Sequence, residues 1–133
     1  MIVVDASVLV PALIDDGPDG DDARRRIIGE SVLVPQLIDV EVASAFGKLF
    51  RRGALLARRA DRALDDLLAL PLRRVPHRPL LPRCWGLRDN LSIYDACYVA
   101  LAEMAGATLV TSDTRLSNAT GIRCRVELVG GAN

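Results

Sequence analysis

Four acidic residues stand at positions where carboxylates from distant parts of a chain can meet. Two end short apolar runs that predict buried strands, and two lie in the first turn of apolar segments that predict helices: Asp5 and Asp113, then Glu41 and Asp95. Two carboxylates about 4 Å apart repel by about 4 kcal/mol at an effective dielectric constant near 20. A converging set therefore needs protons or a hard divalent cation, and such a site suits metal-dependent phosphodiester cleavage.

Each of these acids also has a purely structural explanation. Asp5 and Asp113 can cap the helix or turn that follows them, and Glu41 can be favoured by the dipole of its helix. Asp95 completes a variant of the capping box with Ser92. However, ionised groups are rarely buried without a partner, and no Arg or Lys lies within three residues of Asp5, Glu41 or Asp95. We therefore expect these acids to need a cation.

Other catalytic chemistries find little support in the sequence. The only histidine, His77, lies between Pro76 and Pro79 and is predicted to be a surface turn residue. No G-x-S-x-G or P-loop pattern is present. The cysteines are widely spaced, form no C-x-x-C pair and give no tetrahedral zinc set with one histidine. They are predicted to be buried free thiols in a reducing compartment: Cys84, Cys97 and Cys124.

The composition predicts one domain over residues 1–133, with a loose C-terminal tail at about 130–133. Half of the residues are hydrophobic but only 4% are aromatic, so the core should be built from Leu, Val, Ile and Ala. No uncharged apolar stretch approaches the roughly 18 residues that span a bilayer. The first apolar run lacks a positive flank and is interrupted by Asp5, so we expect no signal peptide and a cytoplasmic location.

Basic residues are concentrated in the middle of the chain. Residues 51–90 contain ten Arg and four Asp, a net charge of +6, although the whole chain is neutral. Guanidinium groups bind phosphate through two parallel hydrogen bonds, so a basic face near an acidic site would suit a nucleic-acid substrate. The alternative is a solvated helix face in which Arg pairs with Asp61, Asp65 and Asp66.

Apolar runs and turn residues predict strands that alternate with helices. The predicted strands cover residues 2–4, 31–34, 72–75, 108–110 and 123–129. The predicted helices cover residues 6–13, 21–28, 39–52, 55–70, 80–88 and 94–105, with a loop at 15–20. The helix at 55–70 should bury one apolar face: Leu56, Ala60, Ala63, Leu64, Leu67 and Leu68. Such alternation predicts a mostly parallel sheet that binds ligands at the carboxyl ends of its strands.

Four motifs in order make the chain similar to PIN-domain ribonucleases of the VapC toxin family. Each motif carries one of the four acids. They are Ile2–Leu9, Asp39–Ala45 after Val34-Pro35, Ser92–Ala102 and Leu109–Leu116. The third is the most specific, and together the motifs cover nearly the whole chain.

The resemblance implies a three-layer α/β fold with a five-stranded parallel sheet in the order 3-2-1-4-5, flanked by helices. This order would make strands 1 and 4 neighbours and place Asp5 beside Asp113. The resemblance also implies Mg²⁺- or Mn²⁺-dependent endoribonuclease activity in the toxic component of a type II toxin–antitoxin system. Members usually form a homodimer that is held by a cognate VapB-type antitoxin.

The resemblance also assigns roles to the acids. Asp5 and Asp95 would be the principal metal ligands, Asp113 would complete the site, and Glu41 would bind the metal directly or through water. Two small hydroxyl residues match positions that orient these acids, with local capping as the alternative: Ser7 and Thr111.

Some relatives carry a further acid where this chain has Ser117 and Asn118, so occupancy by one or by two ions stays open. A non-catalytic PIN-like module that binds RNA or protein is an alternative function. A signalling receiver domain is a weaker alternative, because it needs a Lys after the last strand. The only Lys, Lys48, lies within a predicted helix.

Overall fold

Five short parallel strands form the centre of the fold in the spatial order 3-2-1-4-5, as the family resemblance predicted. In chain order they are β1 (Ile2–Val4), β2 (Val32–Pro35), β3 (Arg73–Val75), β4 (Thr108–Thr111) and β5 (Val126–Leu128). The structure is a computed structural model that describes residues 1–130. Most of the predicted C-terminal tail, residues 131–133, lies outside the described residues.

Seven α-helices of the described chain flank the sheet, which confirms the predicted α/β fold class. They are α1 (Ala6–Ile14), α2 (Pro18–Ile27), α3 (Ile38–Arg51), α4 (Ala57–Ala69), α5 (Leu81–Gly86), α6 (Ile93–Ala105) and α7 (Thr114–Ser117). A single 3₁₀ turn, Arg78–Leu80, precedes α5. Within residues 1–130, none of the helices has the length and apolar character needed to cross a bilayer.

The register of β1 and β4 brings the two predicted strand-end acids to one edge of the sheet. Val3 pairs with Leu109 and Val4 with Val110, and the backbone N–H of Asp5 donates to the Val110 carbonyl over 3.4 Å. Both strands are buried on both faces, which explains their continuous apolar sequence. Their carboxyl ends therefore lie side by side, with Asp5 at one and the turn that leads to Asp113 at the other.

The core is aliphatic, as the low aromatic content predicted. Val, Leu, Ile and Ala side chains fill most of it, and α6 is buried along the whole of Ala96–Ala102. Tyr98 is the largest fully buried side chain, with 1% of its surface exposed. Because a phenol hydroxyl buried at that depth needs a hydrogen-bond partner, Tyr98 must make a polar contact as well as pack in the core.

The second helix begins earlier than predicted. We expected residues 15–20 to form a loop, but α2 starts at Pro18, where proline is favoured because the missing N–H is not needed. Gly20 lies inside this helix, and only glycine fits there, because a Cβ would lie 1.8 Å from the Asp15 carbonyl oxygen. Its role is close packing at the α1–α2 corner, whereas sequence reasoning took it as a loop residue.

The predicted buried face of α4 is only partly correct. Ala63 and Leu67 are buried, but Leu56, Leu64 and Leu68 are exposed to 78%, 39% and 62%. Apolar periodicity predicts that a helix has two unlike faces, but it does not predict how wide a stripe the core covers.

Two other predicted elements are shorter than expected. The last strand covers three residues of the predicted 123–129, as is common at a sheet edge. The predicted helix at 80–88 is divided into the 3₁₀ turn at Arg78–Leu80 and the short helix α5.

Candidate active site

Asp5 is a buried carboxylate at the carboxyl end of β1. It is 5% exposed, and it accepts hydrogen bonds from Ser7 Oγ at 2.5 Å and from Thr111 Oγ1 at 2.6 Å. It occupies the N-cap position of α1, yet its side chain makes no capping hydrogen bond. Helix capping therefore does not account for Asp5, whose two carboxylate oxygens are held by the hydroxyls of Ser7 and Thr111.

The same two hydroxyls also fix the turn that follows β4. Ser7 Oγ lies 3.2 Å from Thr111 Oγ1 and accepts the backbone N–H of Ser112 at 2.8 Å. Thr111 Oγ1 accepts the backbone N–H of Asp113 at 3.1 Å. Ser7 and Thr111 thus connect Asp5 to the segment that carries Asp113, as expected for residues that orient the acids.

Glu41 enters the site from the first turn of α3 and is held by a residue of another helix. The hydroxyl of Tyr98, on α6, donates a hydrogen bond to Glu41 Oε1. Tyr98 lies three residues after Asp95, so both side chains share one side of α6. Helix α6 therefore supplies one acid and positions a second.

Asp95 lies in the first turn of α6, and Ser92 caps that helix. Ser92 Oγ accepts the backbone N–H of Asp95 at 3.1 Å, which confirms the predicted cap. The cap fixes the start of the helix and the backbone of Asp95, whose half-buried side chain is left for other contacts.

Asp113 combines a structural role with its place in the site. Its carboxylate caps α7 by accepting the backbone N–H of Arg115 at 2.9 Å, so the structural explanation is correct for this acid. The Arg115 guanidinium also lies 3.1 Å from the same carboxylate. Arg115 is thus an exposed cation beside an otherwise acidic cluster.

The pKa shifts of the four acids reveal how the site is charged. Burial raises the pKa of Asp5, and the negative charge of Asp95 raises it further, although the hydrogen bonds from Ser7 and Thr111 lower it in part. Burial likewise raises the pKa of Glu41, and repulsion from Asp95 and Asp5 adds to this shift. Burial and repulsion from Asp113 raise the pKa of Asp95. The hydrogen bond from Arg115 instead lowers the pKa of Asp113. These repulsions link Asp95 to each of the other three acids, so Asp95 is the member of the set that lies near all of them.

The donor set fits a hard divalent cation, although it is not a preformed cage. Within residues 1–130, no three His, Cys, Asp or Glu side chains lie close enough together to hold a metal ion by themselves. Mg²⁺ keeps several waters and is usually bound by one or two carboxylates plus substrate phosphate oxygens. Asp5 is a buried, fixed oxygen donor beside further acids, so the residues present fit such an ion.

Sequence reasoning gave no role to two residues that contact the site. Tyr98 was treated only as part of a motif, although its spacing of three from Asp95 on a helix was a usable signal. Arg115 lies two residues after Asp113, and its contact with that acid was not anticipated. Glu41 is thus held by a phenol hydroxyl and Asp113 is paired with a guanidinium.

Comparison with known proteins identifies the domain. The PIN domain family matches residues 2–122. Ribonuclease VapC9 of Mycobacterium tuberculosis is 44% identical over 129 residues, which cover 97% of this chain and 98% of that protein. Of the solved structures, VapC20 of M. tuberculosis, a sarcin–ricin loop cleaving toxin, has a TM-score of 0.69 at 20% identity over 92% of this chain and 97% of its own. VapBC2 of Rickettsia felis has a TM-score of 0.69 at 15% identity, over 97% of this chain and 99% of that chain.

The fold and the acidic edge of its sheet thus define a PIN domain. Since the match to VapC9 extends over nearly the full length of both proteins, the chain belongs to the VapC family of PIN-domain ribonucleases.

Proposed function

We propose that this VapC-family ribonuclease is the toxic component of a type II toxin–antitoxin pair and hydrolyses RNA phosphodiester bonds at the four-acid site. The observation that carries the proposal is Asp5, a carboxylate buried at a sheet edge, held by two hydroxyls and repelled by neighbouring acids. Burial of such a group is costly without a compensating cation. Its geometry therefore supports a role in binding Mg²⁺ or Mn²⁺.

Asp5 and Asp95 are the acids we assign to direct metal binding, with Glu41 and Asp113 acting directly or through water. When bound, the cation supplies a Lewis acid that neutralises charge on the scissile phosphate and lowers the pKa of the attacking water. Glu41 is better suited than Asp113 to accept the proton of that water, because burial raises the pKa of Glu41 and Arg115 lowers that of Asp113. We assign contact with the substrate backbone to Arg115, because its guanidinium is exposed beside Asp113.

Proteins of this family are expected to be paired with an antitoxin, and we propose a cognate VapB-type antitoxin as the partner. A homodimer, implied by the same resemblance, stays a prediction. RNA is the proposed substrate, and recognition of single-stranded or looped segments is favoured because their bases are accessible.

Cleavage of RNA by the purified chain tests the proposal. We expect cleavage with Mg²⁺ or Mn²⁺, none with EDTA, and a loss of roughly a hundredfold or more in Asp5→Asn and Asp95→Asn. The matched control is Asp89→Asn, an exposed acid outside the site, which should cut like the parent chain.

Thermal unfolding with and without Mn²⁺ gives a second readout that does not depend on activity. A cation at 100 times its dissociation constant stabilises the folded state by about 2.7 kcal/mol. The parent and Asp89→Asn should show this stabilisation, and the two site variants should lose it. If Asp95→Asn cleaved RNA as fast as the parent, Asp95 would not belong to the site. If the chain bound RNA in EDTA but cleaved none under any condition, a non-catalytic module would be favoured.

A further inference from the structure

A groove of about 790 Å³ opens beside the acidic site, with Glu41 in its wall. Three other side chains in its lining are exposed and chemically distinctive: Lys48, His77 and Tyr94. The Tyr94 side chain is 63% exposed and immediately precedes Asp95. We call this feature the Tyr94 groove. Its volume falls within the range of about 300–1,000 Å³ that is typical of ligand sites.

The Tyr94 groove continues the edge of the sheet that carries the acids. Its lining includes Gln36, directly after β2, and His77, two residues after β3. The backbone N–H of Gln36 donates to the Val75 carbonyl over 2.8 Å, which ties these two strand ends together. In the order β3-β2-β1-β4-β5, the groove therefore lies on the side of Asp5 opposite to Asp113. Three interstrand steps of about 4.8 Å span roughly 14 Å from β4 to β3.

A polyanion that lay across the acids along this edge would meet a cation on each side. Arg115 lies at Asp113, and Lys48 lies in the groove beyond Glu41, where the His77 imidazole adds a hydrogen-bonding group. Within residues 1–130, neither Lys48 nor His77 forms an ion pair with a carboxylate. Both side chains are thus free to contact a phosphate.

We propose that the Tyr94 groove binds one unpaired nucleotide of the RNA substrate next to the scissile phosphate, its base stacked on Tyr94 and its backbone near Lys48 and His77. The inference rests on the proposed function, because the acids fix where the scissile phosphate lies. An exposed aromatic ring beside cations is the usual composition of a single-strand binding surface. Tyr94 would then help determine which nucleotide flanks the cut.

Charge favours RNA over a second protein as the occupant. A protein segment would pair with Lys48 only through an acidic side chain at the one position that faces it. An RNA strand supplies both a flat apolar base and an anion at every nucleotide. The groove is also continuous with the proposed cleavage site through Glu41.

Binding of a short single-stranded RNA tests the proposal. Fluorescence anisotropy is measured with Mg²⁺ and a labelled RNA whose phosphorothioate linkages suppress cleavage, over a series of salt concentrations. We expect Tyr94→Leu to weaken binding roughly five- to a hundredfold and Tyr94→Phe to bind within about twofold of the parent. Lys48→Gln should reduce the slope of log K against log salt by about 0.7, as for one lost phosphate contact on a single strand.

Trp85→Leu is the matched control, because Trp85 is equally exposed, at 62%, and also has a cation at its ring, Arg88 at 4.9 Å, but does not line the groove. It should bind like the parent. The proposal is overturned by parental binding in Tyr94→Leu, by an equal loss in Trp85→Leu, or by a change in oligomeric state of Tyr94→Leu with unchanged RNA binding. The last result would make the groove a protein interface.

The same measurements separate this proposal from the proposed function. If the parent cuts ordinary RNA while all variants bind equally, the groove assignment fails and the ribonuclease assignment stands. If the parent binds RNA with the expected dependence on Tyr94 and Lys48 but never cuts, the groove stands and the cleavage assignment fails.

Discussion

At the level of single residues, the Tyr98 hydroxyl connects the core to the site. Tyr98→Phe keeps the buried ring and removes the donor to Glu41. A hydrogen bond to a charged group is worth about 1.5–3 kcal/mol when buried, and Glu41 is only half-buried, so we expect destabilisation of about 1 kcal/mol. Cleavage should fall roughly tenfold, since residues that hold a metal ligand typically contribute 10–100-fold. Urea unfolding and kcat/KM are the measurements.

A double-mutant cycle with Glu41→Ala, which removes the acceptor of the Tyr98 hydroxyl, decides how Tyr98 acts. If its effect passes through Glu41, Tyr98→Phe should cost almost nothing in the Glu41→Ala background, because interacting residues are not additive. A full tenfold loss in that background would show that Tyr98 contributes by another route.

Residue-level reasoning from sequence predicted the four acids and the orienting hydroxyls of Ser7 and Thr111, but not the side chains that donate to Glu41 and Asp113. Asp5 could be recognised because it directly follows a continuous apolar strand, where an unpaired carboxylate is costly. The donor to Glu41 could not, because Tyr98 and Glu41 are 57 residues apart and their meeting depends on how α6 packs. Arg115 was missed although it is local, because side-chain direction within a turn is set by the cap geometry.

At the level of elements, two glycines inside helices should respond oppositely to the same substitution. Gly20→Ala places a Cβ against the Asp15 carbonyl, which is itself fixed by Arg24 at 2.8 Å, so α2 must move away from α1. We expect a loss of about 3 kcal/mol. In α3, Gly47→Ala meets only the mobile end of Arg51 at 3.3 Å, so the better helix propensity should stabilise by about 0.5–1 kcal/mol.

Chemical denaturation of both variants checks this pair. An equal effect of the two substitutions would mean that the approach of Gly20 to Asp15 does not limit packing at the α1–α2 corner. The comparison needs no activity, because neither glycine contacts the four acids.

The elements themselves were largely predictable, for reasons that differ between them. Strands β1, β2 and β4 are short apolar runs buried on both faces, and such runs between helices predict a parallel sheet. Helix α6 was clear because Ser92 and Gly106 mark its ends. The exposure of Leu64 and Leu68 was not predictable, because the same amphipathic pattern is compatible with a wide or a narrow buried stripe. The strand order came from the family resemblance.

At the scale of the whole molecule, one ion pair joins parts of the chain that are 101 residues apart. Arg26 on α2 donates to Glu127 on the edge strand β5 through Nε at 2.5 Å and Nη2 at 3.2 Å. The hydrogen bond from Arg26 lowers the pKa of Glu127 below its ordinary value of 4.5. A lowered pKa means that the pair stabilises the fold above pH 4.5 and that this contribution is lost as the pH falls through the lowered value.

Glu127→Gln should therefore lower the free energy of unfolding by about 0.5–1 kcal/mol at neutral pH, a modest value because both side chains are partly exposed. The difference between parent and variant should shrink as the pH is lowered from 4.5 towards 3. Denaturant unfolding at several pH values measures it. A difference that stays constant over this range would show that the carboxylate charge is not the stabilising feature.

The Arg115–Asp113 contact would make cation binding at the proposed site an exchange reaction rather than a simple addition. Without a divalent ion, Asp5, Glu41 and Asp95 retain protons more tightly than free carboxyl groups, while Asp113 is neutralised by a guanidinium. An ion bound here would compete with protons for the carboxylates whose pKa is raised and, if it bound Asp113 directly, with Arg115. Its apparent affinity would therefore rise with pH, and an Arg115 guanidinium that left Asp113 would be free to contact the RNA backbone.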